Sequence, residues 1–123
     1  MLRNAGKQDK AEIYELWKQS YPNQNRNYLN FYFKNLFDKG RCIALEQDQR
    51  IISSLQINEH ILRLREKQLK ISYILGVSTL PDYRRRGHMR RLMESAIDEA
   101  GHNHLVTLIR GFYPKLYEQF GFE

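Results

Sequence analysis

Five arginines fall within eight residues, Arg84, Arg85, Arg86, Arg90 and Arg91, with Gly87 among them. That density suits the capture of one compact polyanion. The formal net charge of the chain is +6, and these five side chains leave only +1 for everything else. Coating a nucleic acid takes a patch or stripe that neutralises many phosphates, so focused charge argues against that partner. Immediately downstream, Met89, Leu92, Met93, Ala96, Ile97 and Ala100 recur at the spacing of one helix face. A helix start leaves its first N–H groups without internal acceptors and makes that end positive. Gly87 lets the main chain approach a ligand closely or take a positive φ. A diphosphate would therefore receive hydrogen bonds from successive amides around residues 85–90. Each such bond contributes about 1.5–3 kcal/mol against about 0.3–1 kcal/mol for the dipole, so the bonds fix the ligand. The competing reading, a solvated helix start with no ligand, loses ground because a strand precedes the cluster and a second motif follows it.

Other reactive side chains point to less. His60, His102 and His104 lack metal-ligand spacing, and no metal is expected. His88 lies inside the arginine loop, where its backbone matters more than its ring. Cys42, the single cysteine, alternates with Ala44 in a short apolar stretch and reads as buried filler. Tyr117 stands at helical spacing with Tyr113, Leu116 and Phe120, which fits packing as well as chemistry.

The elements that must position these residues follow from periodicity. Asp9 with Glu12 resembles a capping box, and Ile13, Leu16, Trp17 and Ser20 continue a helix that Pro22 closes. A second helix carries Leu29, Tyr32, Phe33, Leu36 and Phe37 on one face and ends at Gly40. Its aromatic run, with Tyr28 and Phe31, covers more than one face, part core and part cleft or intersubunit contact. Strands are expected over 41–46 and 50–57, joined by a polar turn at 47–49, and a further one over 69–78. In that third strand Leu69, Ile71, Tyr73, Leu75 and Val77 alternate against Lys70, Ser72, Ile74, Gly76 and Ser78, and Gly76 suggests a bulge or close backbone approach. The amphipathic helix should stop at Gly101, followed by a strand over 105–110 and a short helix from Pro114 to Gly121. Residues 2–4 add a first edge strand.

The stretch ILGVSTLPDYRRRGHMRRLM, residues 74–93, resembles the acetyl-CoA motif of the GNAT N-acetyltransferase superfamily, Arg/Gln-x-x-Gly-x-Gly/Ala. Arg84 and Gly87 match it, and Met89 departs at the last small position. That departure, with three consecutive arginines, is similar to the Eis-like (enhanced intracellular survival) branch. A second stretch, LYEQFGF at 116–122, looks like the tyrosine-then-Gly-Phe motif near the end of such domains. The resemblance implies an α/β (α+β) fold, a mixed, mostly antiparallel sheet flanked by helices. It places Val77, Ser78 and Thr79 beside the pantetheine arm and acetyl group. Arg84, Arg85, Arg86, Gly87, His88, Met89 and Arg90 surround the pyrophosphate, and Tyr117 faces the thioester sulfur as donor to the departing thiolate. The implied reaction is direct attack of a small-molecule or peptide amine on acetyl-CoA. In the Eis-like branch the far C-terminal carboxylate is the implied base; Glu59 is the substitute considered for it here.

Because the chain stops at Glu123, directly after the second motif, the resemblance implies that the last strands of the complete fold are missing. A single partial domain over 1–123 is expected, with cofactor binding outlasting turnover, or with a second copy completing the sheet as a homo-oligomer. A non-catalytic acyl-CoA-binding or protein-interaction module is the alternative. With 41% hydrophobic residues, sparse Gly and Pro, one cysteine and no apolar run of membrane length, a cytoplasmic protein is expected, with no membrane partner.

Overall fold

The computed structural model describes residues 1–103 and 106–109. Its elements are β1 (Leu2–Ala5), α1 (Lys10–Ser20), α2 (Arg26–Asn35), β2 (Arg41–Gln47), β3 (Arg50–Leu64), β4 (Lys67–Thr79), α3 (His88–Asn103) and β5 (Val106–Ile109). They form one sheet in the order β1-β2-β3-β4-β5. The first three pairings are antiparallel and β4–β5 is parallel, so the sheet is mixed and mostly antiparallel, as the sequence predicted. No helix among the described residues is long and apolar enough to cross a membrane.

Each helix turns its apolar stripe to a common core. Ile13, Leu16 and Trp17 of α1, Leu29, Tyr32 and Phe33 of α2, and Leu92, Met93 and Ala96 of α3 are buried with Ile43, Leu45, Leu55, Ile57 and Ile74 of the sheet. Burying each large apolar side chain stabilises the fold by roughly 1.5–3 kcal/mol. Within the aromatic run of α2 the division is sharp: Tyr32, Phe33 and Phe37 are buried, whereas Phe31 is 55% exposed. Cys42 is buried filler, and burial pushes its thiol up to about 12.

Several boundaries differ from the sequence reading, each for a physical reason. Gln47 pairs with Arg50, leaving a two-residue turn in which Asp48 and Gln49 have φ of 53° and 65°. Such left-handed pairs match the twist of a hairpin. β3 runs on to Leu64, not Ile57, and β4 begins at Lys67, not Leu69. This outer ribbon is mostly exposed on both faces, so no alternation marks it in the sequence. α3 passes through Gly101 to Asn103. A helical glycine costs only about 1 kcal/mol relative to alanine, less than the packing of α3 returns.

The capping box expected of Asp9 and Glu12 does not form. Asp9 accepts from Arg3 Nη1 and Nη2 and from the Gly6 N–H, all at 2.9 Å. Arg3 also reaches Glu46 of β2 at 2.9 Å, while Glu12 accepts the Ile51 N–H at 2.7 Å. Both acids thus bind across the chain rather than along it, and they fasten α1 to the first three strands. A guanidinium fork is a stronger partner for a carboxylate than a helix-start amide.

Hydrogen bonding from Arg3 holds the Asp9 carboxyl below its ordinary pKa, with the Gly6 amide adding to the effect. A lowered folded pKa contributes stability above the unfolded value and loses it as pH falls through the folded one. Asp9→Asn should therefore cost about 1–3 kcal/mol at pH 7. In urea melts at a series of pH values, the gap between the two proteins should close at acid pH, below the ordinary carboxylate pKa.

Candidate functional site

β4 carries an irregularity where the chemistry was expected. Gln56 pairs with Leu75 and Ser54 with Ser78, so Gly76 and Val77 together oppose the single residue Leu55. This is the bulge that Gly76 suggested, and its φ of +63° is one that glycine adopts at little cost. The extra residue shifts the alternation: Ser78, rather than Val77, shares a face with Tyr73 and Leu75. Beneath the bulge lies Trp17, because a Cβ on Gly76 would sit 2.8–3.0 Å from three of its ring carbons. Gly76 therefore answers both a backbone and a packing demand.

The pairing of β4 with β5 covers Ile71–Ile74, so among the described residues the last part of β4 is paired only with β3. The Leu80 N–H bonds Ile52 O at 2.8 Å, which turns the polar groups of Thr79, and of Val77 two residues earlier, toward the opposite edge. Both carbonyls on that edge already have donors. Tyr21 Oη donates to Val77 O at 2.5 Å, and Arg84 Nε donates to Thr79 O at 3.0 Å. Ser78 points inward: it is 2% exposed, its hydroxyl donates to Gly76 O, and its carbonyl accepts from Ser53 Oγ. Of the three residues expected along a bound arm, Val77 and Thr79 thus present main chain to the edge away from β3 and Ser78 does not.

A single turn of 3₁₀ helix, Pro81–Tyr83, leads from the strand into the arginine loop. Arg85 has φ of +64° and Gly87 of +80°, with Arg86 between them at negative φ. Alternation of this kind turns successive N–H groups to one side and makes an anion-binding concavity. A positive φ in arginine costs of order 1 kcal/mol and marks a position held in place by its surroundings. Gly87 O accepts the Arg91 N–H at 3.1 Å, which makes Gly87 the N-cap of α3 and leaves the first-turn amides to find partners outside the helix. A Cβ on Gly87 would meet nothing within 4 Å, so the concavity opens onto free space. The residues present fit a diphosphate.

The cationic side chains are deployed unequally. Arg86 stacks over the Tyr83 ring at 5.5 Å, Arg90 lies 4.0 Å from Glu94, and Arg84 is drawn back to Thr79. His88 is half-buried, and its Nδ1 is buried with no hydrogen-bond partner among the described residues. Burial, helped by Arg91 and Arg86, lowers its pKa. Met89, where a small residue was expected, packs against the core from the first turn of α3. Glu59 is exposed on the outer ribbon, paired with Ser72 and 3.9 Å from Lys70, away from the bulge. Tyr117 lies outside the described residues. Sequence reasoning passed over Tyr21 and Trp17 as parts of the site; their one signal was a four-residue spacing at the end of α1.

A family model for an acetyltransferase (GNAT) domain matches residues 1–123. No curated protein sequence matches the chain. Among solved structures, a conserved protein of unknown function from Enterococcus faecalis V583, described as a probable N-acyltransferase, aligns with a TM-score of 0.86 at 18% identity. The alignment covers 100% of this chain and 32% of that protein, so the chain spans about a third of its length. A predicted acetyltransferase from Clostridium acetobutylicum, solved with acetyl-CoA, aligns with a TM-score of 0.78 at 19% identity, over 100% of this chain and 89% of that one. The aminoglycoside N-acetyltransferase AAC(6')-Iy in complex with CoA gives 0.75 at 16%, over 100% and 87%. At these identities the likeness is one of fold.

The double demand on Gly76 makes it the most sensitive glycine of the site. Gly76→Ala combines a left-handed backbone with a Cβ pressed into Trp17, and a loss of about 2–4 kcal/mol in chemical denaturation is expected. A loss below about 0.5 kcal/mol would show that the bulge does not hold this geometry in solution.

Proposed function

The chain belongs to the acetyltransferase (GNAT) domain family, and from that premise we propose that it binds acetyl-CoA along the open edge of β4 and transfers the acetyl group to a primary amine by direct attack. The observation that carries this reading is the continuity of two main-chain features. The edge at Val77 and Thr79 runs through one short turn into the alternating-φ loop at Arg85–Gly87, which caps α3. An extended chain ending in a diphosphate matches that sequence of surfaces: strand-like amides first, then a concavity of N–H groups.

Each residue has its part in this reading. Amides around Arg85, Arg86, Gly87, His88, Met89 and Arg90 hold the pyrophosphate. His88 contributes its backbone rather than a charge. Arg84, through Thr79 O, orients the strand end that delivers the arm. When bound, the thioester supplies an activated acyl carbon. A lysine-like acceptor amine, with a pKa of about 10.4, must shed its proton before attacking, which costs roughly 4–5 kcal/mol at pH 7. Main-chain N–H groups near Val77 stabilise the developing oxyanion, and Tyr117 donates to the departing thiolate. These two roles rest on the family pattern. Solved relatives bound to CoA and acetyl-CoA support the choice of acyl donor. Within the family, the three consecutive arginines and Met89 favour the Eis-like branch, and the acceptor is a small-molecule or peptide amine.

Calorimetry with CoA at two salt concentrations, with duplex DNA as the competing ligand, tests the reading. CoA should bind with one site and stabilise the fold by about 2.7 kcal/mol at 100 times its dissociation constant. Gly87→Ala places a methyl group in the open concavity. Its expected effect is at least a tenfold loss of CoA affinity, at a folding cost of only about 1 kcal/mol. Wild-type protein indifferent to CoA, or an alanine variant that binds as well as wild type, overturns the assignment.

A further inference from the structure

We propose that Tyr21 is a positioning residue for the acyl group: its hydroxyl covers Val77 O, so that β4 meets the acyl end of the ligand as a hydrogen-bond donor. The inference rests on the acetyl-CoA reading above and extends it to the acyl carbonyl.

Three observations converge on the bulge. Tyr21 is the C-cap of α1, and its own N–H returns to Trp17 O at 3.0 Å, so its main chain is fixed by the helix. The hydroxyl lies 2.5 Å from Val77 O, the short end of the range for an O–H···O bond. Four residues earlier, Trp17 places its ring against Gly76. The last turn of α1 thus grips both residues of the bulge, one by shape and one by a hydrogen bond. Trp17 in turn donates from Nε1 to Gln24 Oε1 at 2.7 Å, which ties the same grip to the turn between α1 and α2.

The sheet does not need this grip, because its ladder with β3 uses the other edge of β4. The chemistry does. In a strand, a residue's N–H and C=O share one edge, so an open edge ordinarily offers acceptors and donors in equal number. Here Tyr21 and Arg84 cover the two carbonyls, at Val77 and Thr79. What such an edge selects is a ligand group that accepts, and a thioester carbonyl is one. Free CoA, which ends in a thiol, offers no carbonyl at that place.

Calorimetry of acetyl-CoA and CoA against wild type, Tyr21→Phe and Gln24→Ala tests this without any need for turnover. Wild type should prefer acetyl-CoA over CoA by about three- to tenfold, the worth of one neutral hydrogen bond. Tyr21→Phe should keep the wild-type affinity for CoA within about twofold and lose the preference. Gln24→Ala, which releases Trp17 but leaves the hydroxyl, should retain it. Trp17 is the single tryptophan of the chain, so its emission reports on the bulge directly and should respond more to acetyl-CoA than to CoA in wild type. The proposal is overturned if wild type binds the two ligands equally, if Tyr21→Phe keeps the preference, or if that variant weakens both ligands alike. Loss of the preference in Gln24→Ala overturns the assignment to the hydroxyl. Wild type that binds neither ligand overturns the acetyl-CoA reading itself.

Discussion

One extra residue in β4 governs the site. Because Gly76 and Val77 face a single partner on β3, the strand changes phase just past Ile71–Ile74, the residues it pairs with β5. Among the described residues the main chain past that point pairs only with β3, on one edge. A regular strand would have kept the alternation that Leu69, Ile71, Tyr73 and Leu75 set up, and Val77 would have stayed on their face. The bulge instead puts Ser78 there, buried and bonded internally, and turns the backbone of Val77 and Thr79 to the edge away from β3. A left-handed φ and a tryptophan ring in contact together explain why the residue at the break is glycine.

The electrostatics of the loop follow the same logic, with main chain ahead of side chain. Five arginines in eight residues invite the view that charge alone captures the anion, yet three of them have protein partners: a carbonyl, a tyrosine ring and a glutamate. Those guanidiniums shape the loop and raise the local potential. In the proposed reading the directed contacts fall to amides, which are fixed by Gly87 as N-cap and by the strained φ of Arg85. Backbone donors held by a helix suffer little loss of entropy on binding, whereas a free arginine must be immobilised first. His88 shows the division plainly. Its ring is half-buried, burial lowers its pKa, and its Nδ1 has no hydrogen-bond partner among the described residues.

Most of the fold was legible because it rests on periodicity. The stripes of α1, α2 and α3, the alternation of β4 and the turn residues all carry local signals, and the expected order of elements holds as far as β5; the short helix expected from Pro114 to Gly121 lies outside the described residues. The break at Gly76 was also legible, since an isolated glycine in a strand pattern has few other meanings. What escaped were features set by distant partners or by their absence. The outer ribbon of β3 and β4 has no buried face and hence no alternation. Asp9 and Glu12 have the spacing of a capping box but bind Arg3 and the Ile51 amide, a competition that local sequence does not register. Tyr21 meets Val77, 56 positions further along the chain, and nothing in either segment announces it.

Those long-range contacts are connected. Arg3 joins Asp9 at the head of α1 to Glu46 on β2, and Glu12 holds the first residues of β3 by a main-chain amide. Between them they fix the position of α1 against the sheet at its N-terminal end, while Leu16 and Trp17 bury its far end in the core. Tyr21, one residue past the last turn, inherits that placement. A hydroxyl must stand within a few tenths of an ångström of its acceptor to make a short bond, and a side chain on a mobile loop would not hold it there. Electrostatic preorganisation requires this rigidity, because a dipole that must reorient during the reaction gives back what it contributes. Asp9 and Glu12 act at the opposite end of α1 from Trp17 and Tyr21, yet they hold the helix whose last turn grips the bulge of β4.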